Sequence, residues 1–129
     1  MSPAKILIVE DNPVNLELAK DILESYGFEV LSATNGLEAL QLVQRALPNL
    51  ILMDLQLPGM SGLAVVESLK ADEATCHIPI VAVTAFAMTA DENRARAAGC
   101  IGFITKPINT REFPRLVSEF IELSTESAT

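Results

Sequence analysis

The sequence predicts an α/β domain, in which helices cover both faces of a parallel sheet. Short apolar runs of strand length recur along the chain, and a helix-start signal follows each of them. Strands that alternate with helices form a parallel sheet buried on both faces. Four of the runs also end on polar residues: ILIVED (6–11), LILMD (50–54), IVAVT (80–84) and IGFITKP (101–107).

The first two strand–helix units have clear boundaries. We expect strand 1 at about 5–10, followed by Asn12-Pro13 as the N-cap and first residue of helix 1. Gly27 ends that helix. Strand 2, at about 28–33, is the weakest and suits a sheet edge. The segment from Asn35 to Glu38 resembles a capping box and predicts the start of helix 2.

The next two units follow in the same way. Pro48 ends helix 2, and strand 3 is expected at 50–53. Ser61 is the predicted N-cap of helix 3. Strand 4 is expected at 78–83, and a second capping box, from Thr89 to Glu92, opens an alanine-rich helix 4.

The last unit completes five repeats of strand and helix. Gly99 ends helix 4, and strand 5 is expected at about 101–104. Asn109 or Thr110 caps helix 5, whose start Pro114 should make irregular. Right-handed crossovers leave few topologies for such a chain. The predicted fold is flavodoxin-like, a doubly wound (βα)5 with strand order 2-1-3-4-5.

Length and composition favour one self-sufficient domain. At 129 residues and 50% hydrophobic content, the chain can build a full core, which we assign to 1–123, with a polar tail at 124–129. The chain has 17 acidic and 9 basic residues and a formal net charge of −8. That excess argues against nucleic acid or an anionic membrane as a partner.

The cellular setting follows from the cysteines and the apolar runs. Cys76 and Cys100 belong to no metal-binding or disulfide pattern and are interpreted as reduced cytosolic thiols. No apolar run approaches about 18 residues, and the start MSPAK lacks a signal-peptide pattern. We therefore expect a cytoplasmic protein without membrane insertion.

Five polar residues should converge at one edge of the sheet, because parallel strands bring their carboxyl ends together there. They are Glu10, Asp11, Asp54, Thr84 and Lys106. Adjacent strands lie about 4.8 Å apart, so Lys106 starts about 10 Å from Asp54. A lysine stem is long enough to bring its ammonium to the Asp54 side chain.

The charges at this edge predict a metal site and a reaction. Three carboxylates so close together raise one another's pKa unless a cation intervenes. Oxygen ligands with an open side suit Mg²⁺ better than Ca²⁺ or Zn²⁺. Mg²⁺ beside an exposed aspartate is an arrangement for phosphoryl transfer to a carboxylate. Asp54 is the predicted nucleophile, and Thr84 and Lys106 are placed to contact the transferred group.

At this point the chain, over about residues 4–123, resembles a response-regulator receiver domain of two-component signalling. The resemblance lies in the acidic pair at the end of strand 1, LILMD, VTA and TKP, in this order and spacing. It implies that Asp54 is the phosphoacceptor and that Asp11 ligates Mg²⁺ directly. The Gln56 carbonyl oxygen would be a further ligand, with Glu10 acting through a water.

The same resemblance implies how the signal is read. Thr84 and Lys106 would bind the phosphoryl group, and Lys106-Pro107 would be a cis peptide. The switch aromatic of the family falls on Phe103, which is Phe where many relatives have Tyr. Phe103 is equally interpretable as core filler. Phe86 and Met88, just past Thr84, are either apolar contacts for a partner or cover for the loop.

Partners also follow from the resemblance. The phosphoryl donor would be a histidine kinase or a histidine phosphotransfer protein, and helix 4, strand 5 and helix 5 would bind a downstream protein. Catalysis would be limited to the chain's own phosphorylation and slow self-dephosphorylation. The segments VEDNPVN, LQLPGMSGL and HIPIVAVTAFAM are most similar to stand-alone regulators of bacterial cell-cycle phosphorelays, and next to receivers of hybrid histidine kinases.

Two other functions fit the same fold. A Mg²⁺-dependent phosphohydrolase of the haloacid-dehalogenase type needs a second acid two residues after the nucleophile, and that position is Gln56. A nucleotide- or flavin-binding protein would carry a phosphate-binding loop after strand 1, where this chain has an acidic pair. Both are weaker than the signalling interpretation.

Overall fold

The computed structural model describes residues 3–57, 59–85 and 89–127 and confirms the predicted fold class. Five parallel strands form one sheet in the order β2-β1-β3-β4-β5. The strands are β1 Lys5–Val9, β2 Glu29–Ala33, β3 Leu50–Asp54, β4 Ile80–Thr84 and β5 Gly102–Thr105. The helices are α1 Pro13–Ser25, α2 Gly36–Ala46, α3 Gly62–Ala71, α4 Thr89–Ala98 and α5 Phe113–Ser127.

Two apolar clusters lie on opposite faces of the sheet, because successive side chains of a strand point to opposite sides. On β1, Leu7 and Val9 belong to one cluster, and Ile6 and Ile8 to the other. The first cluster also takes residues of α2, α3 and α4, whereas the second takes residues of α1 and α5. β1, β3 and β4 are therefore covered on both sides and carry the most buried backbone.

The strand boundaries differ from the sequence prediction by one or two residues. β3 and β4 end on Asp54 and Thr84, each one residue later than expected, because the sheet hydrogen bonds continue there. The Leu55 amide donates to the Val83 carbonyl at 3.1 Å, and the Lys106 amide donates to the Thr84 carbonyl at 2.9 Å. Asp54 and Thr84 are consequently strand residues with fixed backbones.

Side-chain caps begin the first two helices. The Asn12 side chain accepts hydrogen bonds from the Val14 and Asn15 amides, as the Asn-Pro pair predicts. At α2, the Asn35 side chain accepts from the Glu38 amide, but the Glu38 carboxylate accepts from the Thr34 amide, one residue before the cap. In a standard capping box the glutamate accepts from the amide of the cap residue itself, so here this second hydrogen bond is shifted by one residue.

The third and fifth helices also begin near the predicted caps. Ser61 accepts from the Ala64 amide at 3.2 Å. Asn109 accepts from the Arg111 and Glu112 amides in a turn that precedes α5, so the helix starts irregularly, at Phe113. α5 continues to Ser127, four residues into the segment interpreted as a tail. The boundary at residue 123 stays a prediction.

Two further observations bear on the cellular setting. Within the described part of the chain, no helix is long and apolar enough to cross a membrane. Both cysteines are free: Cys76 is exposed, and Cys100 is buried. Burial raises the pKa of the Cys100 thiol to about 11, so this thiol is protonated and weakly nucleophilic at neutral pH.

Two helix-opening glycines differ in what surrounds them, and this difference is testable. A Cβ at Gly62 would overlap the Asp54 carbonyl oxygen and lie 2.7 Å from Leu55 Cα, both of which are backbone atoms. A Cβ at Gly36 would meet Val65 Cγ2 at 2.7 Å, a side-chain atom that can move. We expect Gly62→Ala to destabilise the protein by about 3 kcal/mol and Gly36→Ala by about 1 kcal/mol, measured by urea unfolding. Equal costs would contradict this account.

Candidate functional site

The predicted site residues lie at the carboxyl edge of the sheet. Glu10 and Asp11 follow β1, Asp54 ends β3, Thr84 ends β4, and Lys106 follows β5. β3 lies between β1 and β4, so Asp54 is at the middle of the edge. The structure brings Glu10, Asp54 and Lys106 into direct contact.

The Lys106 ammonium bridges the two buried carboxylates. Its Nζ lies 2.6 Å from Glu10 Oε1 and 2.9 Å from Asp54 Oδ2. The Asp54 side chain is 3% exposed and that of Glu10 7%, whereas the lysine side chain is 18% exposed. The contact with Asp54 follows from the reach of a lysine across two strands. The contact with Glu10 was missed by sequence reasoning, although a glutamate's extra methylene was a signal for it.

The remaining carboxylate oxygens accept hydrogen bonds from backbone amides. Glu10 Oε2 accepts from the Asn12 amide at 3.2 Å, and Asp54 Oδ1 accepts from the Gln56 amide at 2.8 Å. Each amide lies two residues after the carboxylate it contacts, in the turn that leaves the strand. Both side chains are therefore oriented by their own loops as well as by Lys106. Gln56, expected to contribute its carbonyl oxygen, takes part here through its N–H.

The electrostatics of the site depend on burial and on these contacts. Burial raises the pKa of Glu10, and the neighbouring Asp54 raises it further, against the opposing effect of Lys106. Burial acts to lower the pKa of the Lys106 ammonium, but its hydrogen bonds to Glu10 and Asp54 outweigh that and raise the pKa above its usual value. Lys106 is therefore a permanent cation at neutral pH.

Glu10, Asp11 and Asp54 also form a group that could hold a metal ion. One carboxylate oxygen from each lies within 4.8 Å of the other two, and Asp11 is exposed while its partners are buried. Mg²⁺ in proteins is bound through one or two carboxylates together with waters, so this group of oxygens could hold the ion. The all-oxygen donor set, open on the Asp11 side, fits Mg²⁺ and not Zn²⁺.

Thr84 is buried, with 2% of its surface exposed. Asp54 pairs in register with Val83, so Thr84 lies one residue beyond the level of Asp54 on the neighbouring strand. Its carbonyl accepts from the Lys106 amide at 2.9 Å, which ties the end of β4 to the loop that carries the lysine. The backbones of Thr84 and Lys106 are therefore linked directly by this hydrogen bond.

Phe103 and the peptide after Lys106 complete the predicted set. Phe103 is partly buried and packs against the first apolar cluster, with the guanidinium carbon of Arg96 5.5 Å from its ring centre. The bond between Lys106 and Pro107 is cis. A switching role for Phe103 stays a prediction. Phe86 and Met88 lie outside the described residues.

This fold, with a buried aspartate at the centre of the carboxyl edge, an acidic pair on one side and a lysine bridging them, defines a receiver of two-component signalling. Residues 6–118 match the family described as the response regulator receiver domain. The chain belongs to that family.

Known relatives agree with this membership. The chain is similar to the polar-differentiation response regulator DivK of Brucella anthropi, with 47% identity over 92% of this chain and 97% of the relative. A CheY-like receiver from Methanospirillum hungatei superposes with a TM-score of 0.89, at 31% identity, over 98% of this chain and 99% of the other. The receiver domain of a sensor histidine kinase from Pseudomonas aeruginosa, described with a magnesium ion in its active-site cleft, superposes with a TM-score of 0.85. It is 32% identical and covers 93% of this chain and 98% of its own.

The Lys106 ion pairs should give a pH signature. Because the pKa of Lys106 is raised on folding, its pairs stabilise the fold below the unfolded value of about 10.5 and stop doing so as pH rises through the folded pKa. We expect Lys106→Met to be less stable than wild type by about 2 kcal/mol at pH 7, which is less than for a fully buried pair because the side chain is partly exposed. In urea unfolding from pH 7 to 11.5, that difference should shrink above about pH 10.5. Lys20→Met, a charge-matched control on α1, should show no such trend, and a constant difference for Lys106→Met would contradict the assignment.

Proposed function

We propose that this chain is a phosphorylation-dependent response regulator that accepts a phosphoryl group from a phosphohistidine onto Asp54 and thereby changes its affinity for a partner protein. The observation that carries the proposal is the buried Asp54 carboxylate, held 2.9 Å from the Lys106 ammonium at the centre of the carboxyl edge. Receivers of this family interact with histidine kinases or phosphotransfer proteins, which are the proposed donors.

The proposed reaction is an in-line displacement at phosphorus. An oxygen of the Asp54 carboxylate attacks, and an O–P bond forms as the P–N bond to the donor imidazole breaks. The electron pair of that bond returns to the imidazole nitrogen. The Asp54 Oδ2 atom accepts a hydrogen bond from the Lys106 ammonium at 2.9 Å, which holds the side chain in place at the edge of the sheet. The product is an aspartyl phosphate, formed without any oxidant or other co-reactant.

The other residues of the edge serve the same transfer in this proposal. Lys106 neutralises charge on the phosphoryl oxygens, and the Thr84 hydroxyl donates to one of them. Four residues would hold Mg²⁺: Asp11 and Asp54 through carboxylates, Gln56 through its carbonyl oxygen, and Glu10 through a water. When bound, the ion supplies further neutralisation of the transferred charge. The oxygen donor set and the magnesium described in the Pseudomonas relative support this choice of metal.

We propose that catalysis is confined to the chain's own phosphorylation and slow dephosphorylation. A phosphohydrolase would place an acid two residues beyond the nucleophile, and Gln56 has no carboxyl group. Its backbone amide instead donates to the nucleophile itself. Transfer to and from Asp54 is thus supported, whereas turnover on small substrates is not.

The output in this proposal is a changed surface formed by α4, β5 and α5. Phosphorylation adds negative charge at Asp54 and changes what Lys106 binds, and Lys106 directly follows β5. The 47% identity to a DivK regulator, against 32% to a kinase receiver domain, supports a stand-alone regulator. The free cysteines support a reducing, cytoplasmic setting. No nucleic acid or membrane is among the proposed partners.

The phosphoacceptor assignment has a direct test. Incubation with acetyl phosphate and Mg²⁺ should add one phosphoryl group of about 80 Da to wild type, detected by intact-mass spectrometry and lost on treatment with hydroxylamine. Asp54→Asn should show no hydroxylamine-sensitive adduct, because an amide is not a carboxylate nucleophile. Asp72→Asn, a half-buried aspartate at the end of α3 and outside the acidic group at the carboxyl edge, should be labelled like wild type. Equal labelling of the Asp54→Asn variant would remove Asp54 from the proposal.

The metal assignment is tested separately. We expect EDTA to abolish labelling and Asp11→Asn to slow it at least about tenfold at 1 mM Mg²⁺, because a direct ligand is lost. Asp21→Asn, an exposed aspartate of α1, is the control of equal charge change. Labelling of Asp11→Asn at the wild-type rate, at every Mg²⁺ concentration, would show that Asp11 is not a ligand.

A further inference from the structure

Within residues 92–98 of α4, few apolar side chains hold the helix to the domain. In its described part, Ala95 is the fully buried residue, and Ala98 packs partly against the first apolar cluster. α3, beside it, buries Val65, Val66 and Leu69. Because each buried methylene contributes about 0.8 kcal/mol, an alanine face holds a helix much more weakly than a valine and leucine face.

The C-terminal end of α4 is nevertheless fixed. The Gly99 amide donates to the Ala95 carbonyl at 3.1 Å, and Gly99 has φ +123°. The stem of Lys70 lies against Gly99, so that a Cβ there would be 2.7 Å from Lys70 Cγ. The Lys70 ammonium is held in turn by the carbonyls of Cys76 and Ile78, at 2.9 and 2.7 Å. If α4 moves, its C-terminal end at Gly99 is therefore the part expected to stay in place.

Arg96 provides a separate link, from α4 to the edge strand β5. Its guanidinium carbon lies 5.5 Å from the ring centre of Phe103, within the range of a cation–π interaction. Phe103 points to the face that α4 covers, whereas its neighbour Ile104 belongs to the opposite cluster. Among the described residues, this is the one cation–π contact, and it joins the weakly held helix to the strand that leads to Lys106.

The strand makes this link relevant to the site. β5 has four residues, Phe103 pairs in register with Ala82, and Lys106 follows the strand directly. Lys106 is in contact with Asp54, so a change at Asp54 that alters the lysine's contacts acts on the end of the strand that carries Phe103. The ring is thus placed between the site and α4.

We infer that Arg96 is a positioning residue: its guanidinium holds the Phe103 ring in the packed position and couples the state of Asp54 to the position of α4. The inference rests on the proposed function, because it names the contact through which phosphorylation would reach the α4 side of the output surface. Loss of the guanidinium releases the ring and reduces this coupling, while phosphorylation of Asp54 itself continues.

A single fluorescent reporter tests the inference, because the chain contains no tryptophan. The background variant is Phe103→Trp, whose indole offers Arg96 a stronger cation–π partner than phenyl. On this background we expect Arg96→Gln to raise the acrylamide quenching constant about twofold. Arg94→Gln removes another exposed arginine of α4 and should leave quenching unchanged. Acetyl phosphate with Mg²⁺ should change quenching in the background and Arg94→Gln proteins, and by less than half as much in Arg96→Gln.

A double-mutant cycle without tryptophan, with Phe or Leu at residue 103, controls for an effect of the introduced indole. By thermal unfolding, Arg96→Gln should lower Tm by about 2 °C when residue 103 is Phe and by less than 0.5 °C in Phe103→Leu, since the interaction needs a ring face. Equal quenching in the Arg96→Gln and Arg94→Gln proteins, or equal Tm losses with Phe and Leu, would overturn the inference. If intact mass shows no phosphoryl adduct on the wild-type protein, the proposed function fails instead, and the two failures are distinguishable.

Discussion

The arrangement of the site depends on the Lys106 ammonium held between Glu10 and Asp54. Two buried carboxylates this close repel each other, and the ammonium between them offsets that repulsion by pairing with both. The strand order makes the contact possible, since it places the loop after β5 two strands from Asp54 and the end of β1 one strand from it. The backbone amides of Asn12 and Gln56 then fix the remaining oxygens. The ion pairs of Lys106 with Glu10 and Asp54 thus connect the ends of β1, β3 and β5, where the proposed phosphoryl group would be bound.

That cluster also gives the domain a means of transmitting a change. The same strand, β5, places Phe103 against the α4 face and Lys106 against Asp54. Among residues 92–98 of α4, Ala95 is buried and Arg96 lies over Phe103, whereas α3 buries Val65, Val66 and Leu69. In the inference drawn above, the site on the central strands would act on α4 through this contact.

Most of the fold was predictable from local patterns, and so was the convergence of Glu10, Asp54 and Lys106 at the carboxyl edge of the sheet. Apolar runs marked the strands, and Asn12, Asn35 and Ser61 marked helix starts, because capping depends on residues within one turn. The errors also have local physical causes. β3 and β4 extend one residue further because a neighbouring strand supplies the hydrogen-bond partner. The Glu38 carboxylate accepts from the Thr34 amide, one residue before the cap, at 3.0 Å.

The sequence by itself determined the order of elements, the edge at which the polar residues meet, and the residue types available there for metal and phosphoryl chemistry. Strand spacing also predicted that Lys106 reaches Asp54, 52 residues away in the chain. Only the tertiary structure decided the further contacts: Lys106 also pairs with Glu10, and Arg96 lies over Phe103. Such contacts depend on side-chain length and on strand and helix positions to within about 1 Å, since hydrogen bonds and cation–π interactions weaken steeply beyond their range. No local pattern in the chain carries that information.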